Sequence, residues 1–247
     1  MRRYGLIGLK LGHSFSARYF AEKFQREGLS QECVYDLYEL PSIECVEDFI
    51  RNTPSLKGFN VTIPYKQQII PYLDSLSREA QDVGAVNCVK IASDGSTTGY
   101  NTDVDGIRFS LDKLLQGQSV DAALLLGTGG ASKAVQYVLA ERNIRCSIVS
   151  REKSKGDFTY DELSQDVIAS HSLIINSSPV GMYPAVDDAP AIPYHHLTPH
   201  HYLFDLVYNP TTTQFMVRGA QYGAHTLSGL DMLYAQAEAA WAIWDRP

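Results

Sequence analysis

Short apolar runs alternate with longer stretches in which apolar positions recur every three or four residues, almost from one end of the chain to the other. The first series reads as strands RYGLIGL (3–9), CVYDLYEL (33–40) and GFNVTI (58–63), with helices SARYFAEKFQREGL (16–29) and SIECVEDFIRN (42–52) between them. Two short helices are expected around KQQIIPYLD (66–74) and SREAQDVG (77–84). VNCVKIA (86–92) and TTGYN (97–101) then flank SDGS, whose Asp94-Gly95 pair signals a hairpin turn. A helix is expected from Asp103 to about residue 115, followed by the polar connector QGQSVD.

A second series begins at DAALLLG (121–127), a strand followed by the helix GGASKAVQYVLAER (129–142). RCSIVS (145–150), HSLIINSS (171–178) and HYLFDLVY (201–208) read as strands, YDELSQDVI (160–168) and TTQFMVRGAQYG (212–223) as helices. The apolar helix SGLDMLYAQAEAAWAIW (228–244) closes the pattern, with Ser228 as its N-cap. Alternation of this kind predicts an α/β protein of two lobes, each a largely parallel sheet covered by helices. Ligands of such sheets bind outside the carboxyl ends of the strands.

Composition narrows the partners. At 247 residues the chain can bury a substantial core, and 45% hydrophobic with 20% charged residues fits a globular protein. Its 21 basic and 28 acidic side chains, net -7, argue against a nucleic-acid or anionic-membrane surface. No run approaches the roughly 20 apolar residues of a membrane span. Lys10 and His13 interrupt the apolar residues at the start, so a signal peptide is not expected. Cys33, Cys45, Cys88 and Cys146 are scattered, which predicts free thiols in a reducing cytoplasm. The pairs His195-His196 and His200-His201 lie next to Pro193 and Pro199 in a loop entering a strand, and no metal site is expected from them.

The segment LLLGTGGASKA (124–134) places Gly127, Gly129 and Gly130 between a strand and a helix, where backbone amides can cradle a pyrophosphate on the helix N-terminus. A mononucleotide P-loop would need a hydroxyl where Ala134 stands. About 20 residues on, the next strand ends at Ser150 and Arg151, with Glu152, Lys153 and Lys155 after them. A guanidinium suits an adenosine 2′-phosphate, so NADP is expected over NAD, although Glu152 stands beside it.

In the first half HSFS (13–16), NVTIPYK (60–66), GAVN (84–87) and NTD (101–103) each interrupt or follow an apolar segment. Together GHSFS, FNVTIPYK, GAVNCV, GYNTDVDG, GTGGAS, INSSPVGM, DLVYNPTTT and SGLDMLYAQAEAAW resemble the shikimate dehydrogenase family in the family's order, over nearly the whole chain. The resemblance implies an amino-terminal substrate-binding lobe (1–102), a Rossmann-type NADP(H)-binding lobe (103–227), and a carboxy-terminal helix (228–247) that returns to the first. It implies reversible reduction of 3-dehydroshikimate to shikimate by NADPH, on the route to chorismate and the aromatic amino acids, in a cytoplasmic monomer or homodimer.

Carried over by position, Lys66 and Asp103 match the catalytic pair. Ser14 and Ser16 match the hydroxyls that bind the substrate carboxylate, and Thr62, Asn87 and Asp103 those that hold the ring hydroxyls. Tyr208 and Gln236 match further substrate residues. Gly127, Thr128, Gly129, Gly130 and Ala131 match the phosphate turn, Ser150 and Arg151 the pair that reads the 2′-phosphate, and Leu206 and Gly229 residues beside the nicotinamide. Ser150 stands for the family's usual asparagine and Glu152 for its usual threonine, while Ala17 and Arg18 stand where a proline is common. The bland alternative for Ser14 and Ser16 is that they cap the next helix. For Lys66 it is a solvated charge at a helix start.

Overall fold

The computed structural model describes residues 1–12 and 14–245. The chain divides into two compact units, residues 1–102 with 237–247, and residues 103–236.

The first unit holds a six-stranded mixed sheet. Its strands are β1 (Arg2–Gly8), β2 (Cys33–Glu39), β3 (Leu56–Val61), β4 (Ser75–Leu76), β5 (Cys88–Ile91) and β6 (Thr97–Tyr100), in the order β2-β1-β3-β5-β6-β4. β1 runs parallel to β2 and β3, and β5 antiparallel to β3 and β6. The helices α1 (Phe15–Arg26), α2 (Val46–Asn52), α3 (Tyr65–Gln68) and α4 (Arg78–Val83) connect them. Strand residues alternate between two buried faces. Tyr4, Leu6, Tyr35 and Cys88 pack with Phe20 and Phe24 of α1 and with Trp241 and Trp244 of the last helix, α9 (Leu230–Asp245). Ile7, Phe59, Val61 and Val89 face the other way, onto Val46, Phe49, Tyr65 and Ala80. Gly58 is required where Trp244 crosses β3: a Cβ there would overlap the indole, whose Nε1 donates to the Val89 carbonyl at 3.0 Å.

The second unit holds a five-stranded, wholly parallel sheet of β7 (Ala122–Leu126), β8 (Arg145–Val149), β9 (Leu173–Asn176), β10 (Tyr202–Asp205) and β11 (His225–Ser228), ordered β11-β10-β9-β7-β8. α5 (Asp103–Leu115), α6 (Gly130–Glu141), α7 (Gln165–Ala169) and α8 (Gln214–Ala220) cover it. Numbered within the unit this is the doubly wound order 2-1-3-4-5, whose switch point falls between β7 and β9. Full burial on both faces explains why β7 reads as the unbroken apolar run AALLL.

Several local expectations shift. The helix read over 42–52 starts as a 3-10 turn, Ile43–Cys45, before α2. The one read over 66–74 breaks into α3 and a 3-10 turn, Ile70–Tyr72, because Pro71 cannot donate. The one read over 160–168 likewise splits into a 3-10 turn, Tyr160–Glu162, and α7. Ser228 ends β11 rather than only opening the final helix, although its hydroxyl still accepts from the Leu230 amide at 3.5 Å. The division between units falls after Gln236, so residues 228–236 stay with the second unit and only the later turns of α9 join the first.

Candidate active site

Strand register in the first unit gathers that unit's predicted site residues, Ser14, Ser16, Thr62, Lys66 and Asn87, at one end of the sheet. Ile7 pairs with Val61, Asn60 with Cys88, and Cys88 with Tyr100. The carboxyl ends of β1, β3 and β6 and the start of antiparallel β5 therefore lie side by side. From β1 the chain passes to Ser14 and Ser16, from β3 to Thr62 and Lys66, and from β6 to Asn101, Thr102 and Asp103, while Asn87 precedes β5. His13, the first residue of HSFS, lies outside the described residues.

Ser14 occupies the N-cap position of α1 but its side chain makes no capping hydrogen bond, so the capping alternative does not account for its hydroxyl. Ser16 is the second residue of α1, beside the phenol of Tyr35. Pro64 takes the N-cap position of α3, and Lys66 lies in its first turn, half-buried, with its carbonyl accepting the Val86 amide at 2.7 Å. Gly8 leaves room for Thr62, whose γ-methyl would stand 2.8 Å from any added Cβ.

A buried polar chain runs beneath these groups, and sequence reasoning missed most of it. The Tyr35 phenol donates to Asn60 Oδ1 at 2.8 Å, and Asn60 Nδ2 donates to the Asn87 carbonyl at 3.0 Å. Asn87 Oδ1 in turn accepts the Thr102 amide at 2.7 Å and its hydroxyl at 3.2 Å. This pins the carboxamide oxygen of Asn87 and fixes which way its NH2 can donate. Burial pushes the Tyr35 phenol well above its usual range against the opposing bond from Ser16, so the hydroxyl stays protonated. The only trace in the sequence is Asn60, a polar residue inside an apolar strand, whose partners on other strands the sequence does not name.

In the second unit the ends of β7, β8 and β9 enclose a cavity of about 580 Å³, within the range of small-molecule sites. Gly127, Thr128 and Gly129 line it with Ser150, Arg151, Glu152, Lys155 and Tyr160, together with Ser177 to Val180 and residues 189–191. Gly127 has φ +106°, a conformation that favours glycine, and Gly129 caps the 12-residue α6, with Gly130 and Ala131 in its first turn. The amides of such a turn are free of helical partners and favour an anion. Ser132 is buried and donates to the Gly129 carbonyl at 2.5 Å, closing the turn on itself. Ser150 is buried and its hydroxyl accepts the Glu152 amide at 3.2 Å.

Of the cations after β8, Lys153 is held by Glu162 at 2.6 Å and Lys155 by Glu152 at 2.9 Å. Arg151 is exposed, and among the described residues no ion pair involves it. The cavity thus offers a glycine turn for phosphates and a guanidinium at the other end, which fits a phosphorylated dinucleotide.

Further predicted residues lie at the ends of β10 and β11. Leu206 and Gly229 touch: the Gly229 amide donates to the Val207 carbonyl at 3.1 Å, and a Cβ at 229 would overlap the Leu206 carbonyl. Tyr208 is half-buried, and desolvation raises its phenol above its ordinary value. Gln236 bonds back to the Leu233 carbonyl at 2.9 Å, so its amide must turn to meet a ligand. Asp103 is the buried first residue of α5.

The histidine pairs take other roles. His201 is buried between the Thr198 side chain and the Ile168 carbonyl, and the rings of His195 and His196 lie 3.9 Å apart. Among the described residues no group of three or more His, Cys, Asp or Glu could hold a metal ion. The four cysteines are free, and burial pushes Cys146 up to about 11. No described helix is long and apolar enough to cross a membrane.

The chain is similar to known proteins along nearly its whole length. The family model described as the shikimate dehydrogenase substrate binding domain matches residues 6–89. A relative from Methanococcus maripaludis, named shikimate dehydrogenase (NADP(+)), is 35% identical over 260 residues, covering 97% of this chain and 90% of the relative. A shikimate dehydrogenase solved in complex with NADP+ superposes with TM-score 0.85 at 32% identity, covering 99% of this chain and 90% of that one. A quinate dehydrogenase from Corynebacterium glutamicum, solved with NAD, gives TM-score 0.89 at 27% identity, covering 99% of this chain and 93% of that one.

Proposed function

This chain belongs to the shikimate dehydrogenase family, and from that premise we propose that it is an NADP-dependent oxidoreductase that interconverts 3-dehydroshikimate and shikimate, with Lys66 and Asp103 as its catalytic residues. One observation carries the assignment to residues. Each sheet presents its set at its own carboxyl edge, hydroxyl, amide and amine groups in the first unit and a dinucleotide-sized cavity in the second.

NADPH, when bound, supplies the hydride for the substrate's carbonyl carbon. The turn from Gly127 to Ala131 holds its diphosphate, Ser150 and Arg151 its 2′-phosphate, and Leu206 and Gly229 border its nicotinamide. Charge then develops on the carbonyl oxygen. Lys66 stabilises it and donates the proton, while Asp103 orients the lysine and the neighbouring hydroxyl. Ser14 and Ser16 bind the carboxylate, and Thr62, Asn87, Tyr208 and Gln236 the remaining polar groups. A site with this many fixed partners rejects analogues that lack a hydroxyl, because its buried groups would be left unpaired.

A second reading, oxidation of quinate with NAD, is favoured by Glu152 at the cavity and by the likeness to the quinate dehydrogenase. The deciding experiment follows NADPH oxidation with 3-dehydroshikimate and repeats it with NADH, then assays quinate with each oxidised cofactor. A higher kcat/KM for NADPH with 3-dehydroshikimate supports the proposal; preference for quinate with NAD overturns it.

A further inference from the structure

The Asp205 carboxylate ends β10 fully buried, and every oxygen of it is used. Oδ1 accepts the Val207 amide at 3.0 Å and Asn176 Nδ2 at 2.9 Å, and Oδ2 accepts the Thr213 hydroxyl at 2.5 Å. Val207 and Thr213 bracket Tyr208, so one carboxylate closes both ends of the loop that carries it. Asn176, also fully buried, ends the neighbouring strand in register with Asp205. Its Oδ1 accepts the Ser178 amide at 3.1 Å and hydroxyl at 2.6 Å, and its Nδ2 also donates to the Val180 carbonyl at 3.3 Å. That holds the turn whose residues 177–180 line the cofactor cavity. Ser177 continues the path, donating to the Leu126 carbonyl at 3.0 Å beside the glycine turn.

Burying a carboxylate costs several kcal/mol unless donors surround it, so a charge at this place needs a reason beyond packing. A turn residue such as Asn would satisfy one loop at less cost. A carboxylate can accept from both loops at once, because its two oxygens point to different partners.

Resting on the reading of Tyr208 as a substrate residue, we infer that Asp205 is a positioning residue that fixes the Tyr208 loop to the cofactor turn, so that shikimate meets a Tyr208 already aligned to the cofactor. The link is Asp205 itself. Thr213 holds the substrate side and Asn176 the cofactor side.

The test is a cycle of Thr213→Val, Tyr208→Phe and the double variant, each assayed for shikimate oxidation and for NADP+ binding by protein fluorescence. A hydrogen bond to a buried charge corresponds to roughly tenfold in affinity, so Thr213→Val is expected to raise the shikimate KM about tenfold, with the NADP+ Kd within about twofold. Tyr208→Phe is expected to raise the KM also, and the double variant no further than the larger single effect, since both act through one phenol. Thr213→Ser keeps the hydroxyl, and with it both the Asp205 bond and the α8 cap, so it is expected to leave the KM near that of the wild type. The inference is overturned if Thr213→Val leaves KM unchanged while Tyr208→Phe raises it, if the two effects add in full, or if NADP+ affinity falls as much as shikimate affinity. An unchanged KM in Tyr208→Phe also overturns it, and does so by removing Tyr208 from the site rather than by breaking the loop.

Discussion

Lys66 enters the first turn of α3 two residues after a proline, on backbone tied to the loop before Asn87 through its own carbonyl. On the role proposed for Lys66 as proton donor, the residue contributes chiefly to turnover, so Lys66→Ala is expected to lower kcat by about 10²–10⁴-fold while shikimate binding changes little; single-turnover NADPH oxidation and a separate binding titration check this. Asn60 acts underneath. Replacing it with Ala strands the buried Tyr35 phenol and removes one donor from the Asn87 carbonyl, at a cost of about 1–3 kcal/mol, read as a lower urea midpoint at unchanged m. Motif residues such as Ser14, Lys66, Asn87 and the glycines could be seen in the sequence because each sits at a strand end among turn signals. Tyr35, Asn60, Asn176, Asp205 and Thr213 could not, because a polar residue inside or at the end of an apolar run reads as a strand position until its partner on another strand is known.

Elements were legible where their period was long and uninterrupted, as in α1, α5, α6 and the five-residue runs of β7 and β8. β4 has two residues, and β11 carries His225, Thr226 and Ser228, so tertiary pairing with β6 and β10 alone makes them strands. Tertiary contacts also decide how α1 meets α9. Lys23 is buried between Glu27 at 2.8 Å and Glu238 at 2.7 Å, and Tyr19 donates to Glu238 as well. Burial alone would raise the Glu238 carboxyl, but the bonds from Lys23 and Tyr19 outweigh it and hold it below its usual value. A depressed carboxyl contributes stability above its unfolded pKa, roughly 4.3, and loses it as pH falls through the folded value. Thermal midpoints are therefore expected to fall below about pH 4.3 more steeply in the wild type than in Glu238→Gln. At neutral pH the gap stays below ~1 kcal/mol, since the Glu238 side chain is 48% exposed.

For the whole molecule, the proposed site of cofactor choice lies in the second unit. Arg151→Ala is expected to raise the NADPH KM by about ten- to a hundredfold, the range of one charge-assisted bond, and to leave the NADH KM nearly unchanged; paired steady-state assays check it. The division between units bears on how the protein is made. Residues 103–236 form a contiguous unit, complete as soon as they leave the ribosome, whereas the first unit needs Ala237, Ala240, Trp241 and Trp244 to fill the face that Tyr4 and Phe20 begin. Domains usually fold in the order of synthesis. Here that order is expected to reverse: the amino-terminal sheet emerges first, and its aromatic face stays open through the translation of the second unit until the last turns of α9 close it. In that interval the uncovered rings are expected to make the nascent chain more prone to aggregate than the finished enzyme, in which Trp241 and Trp244 cover them.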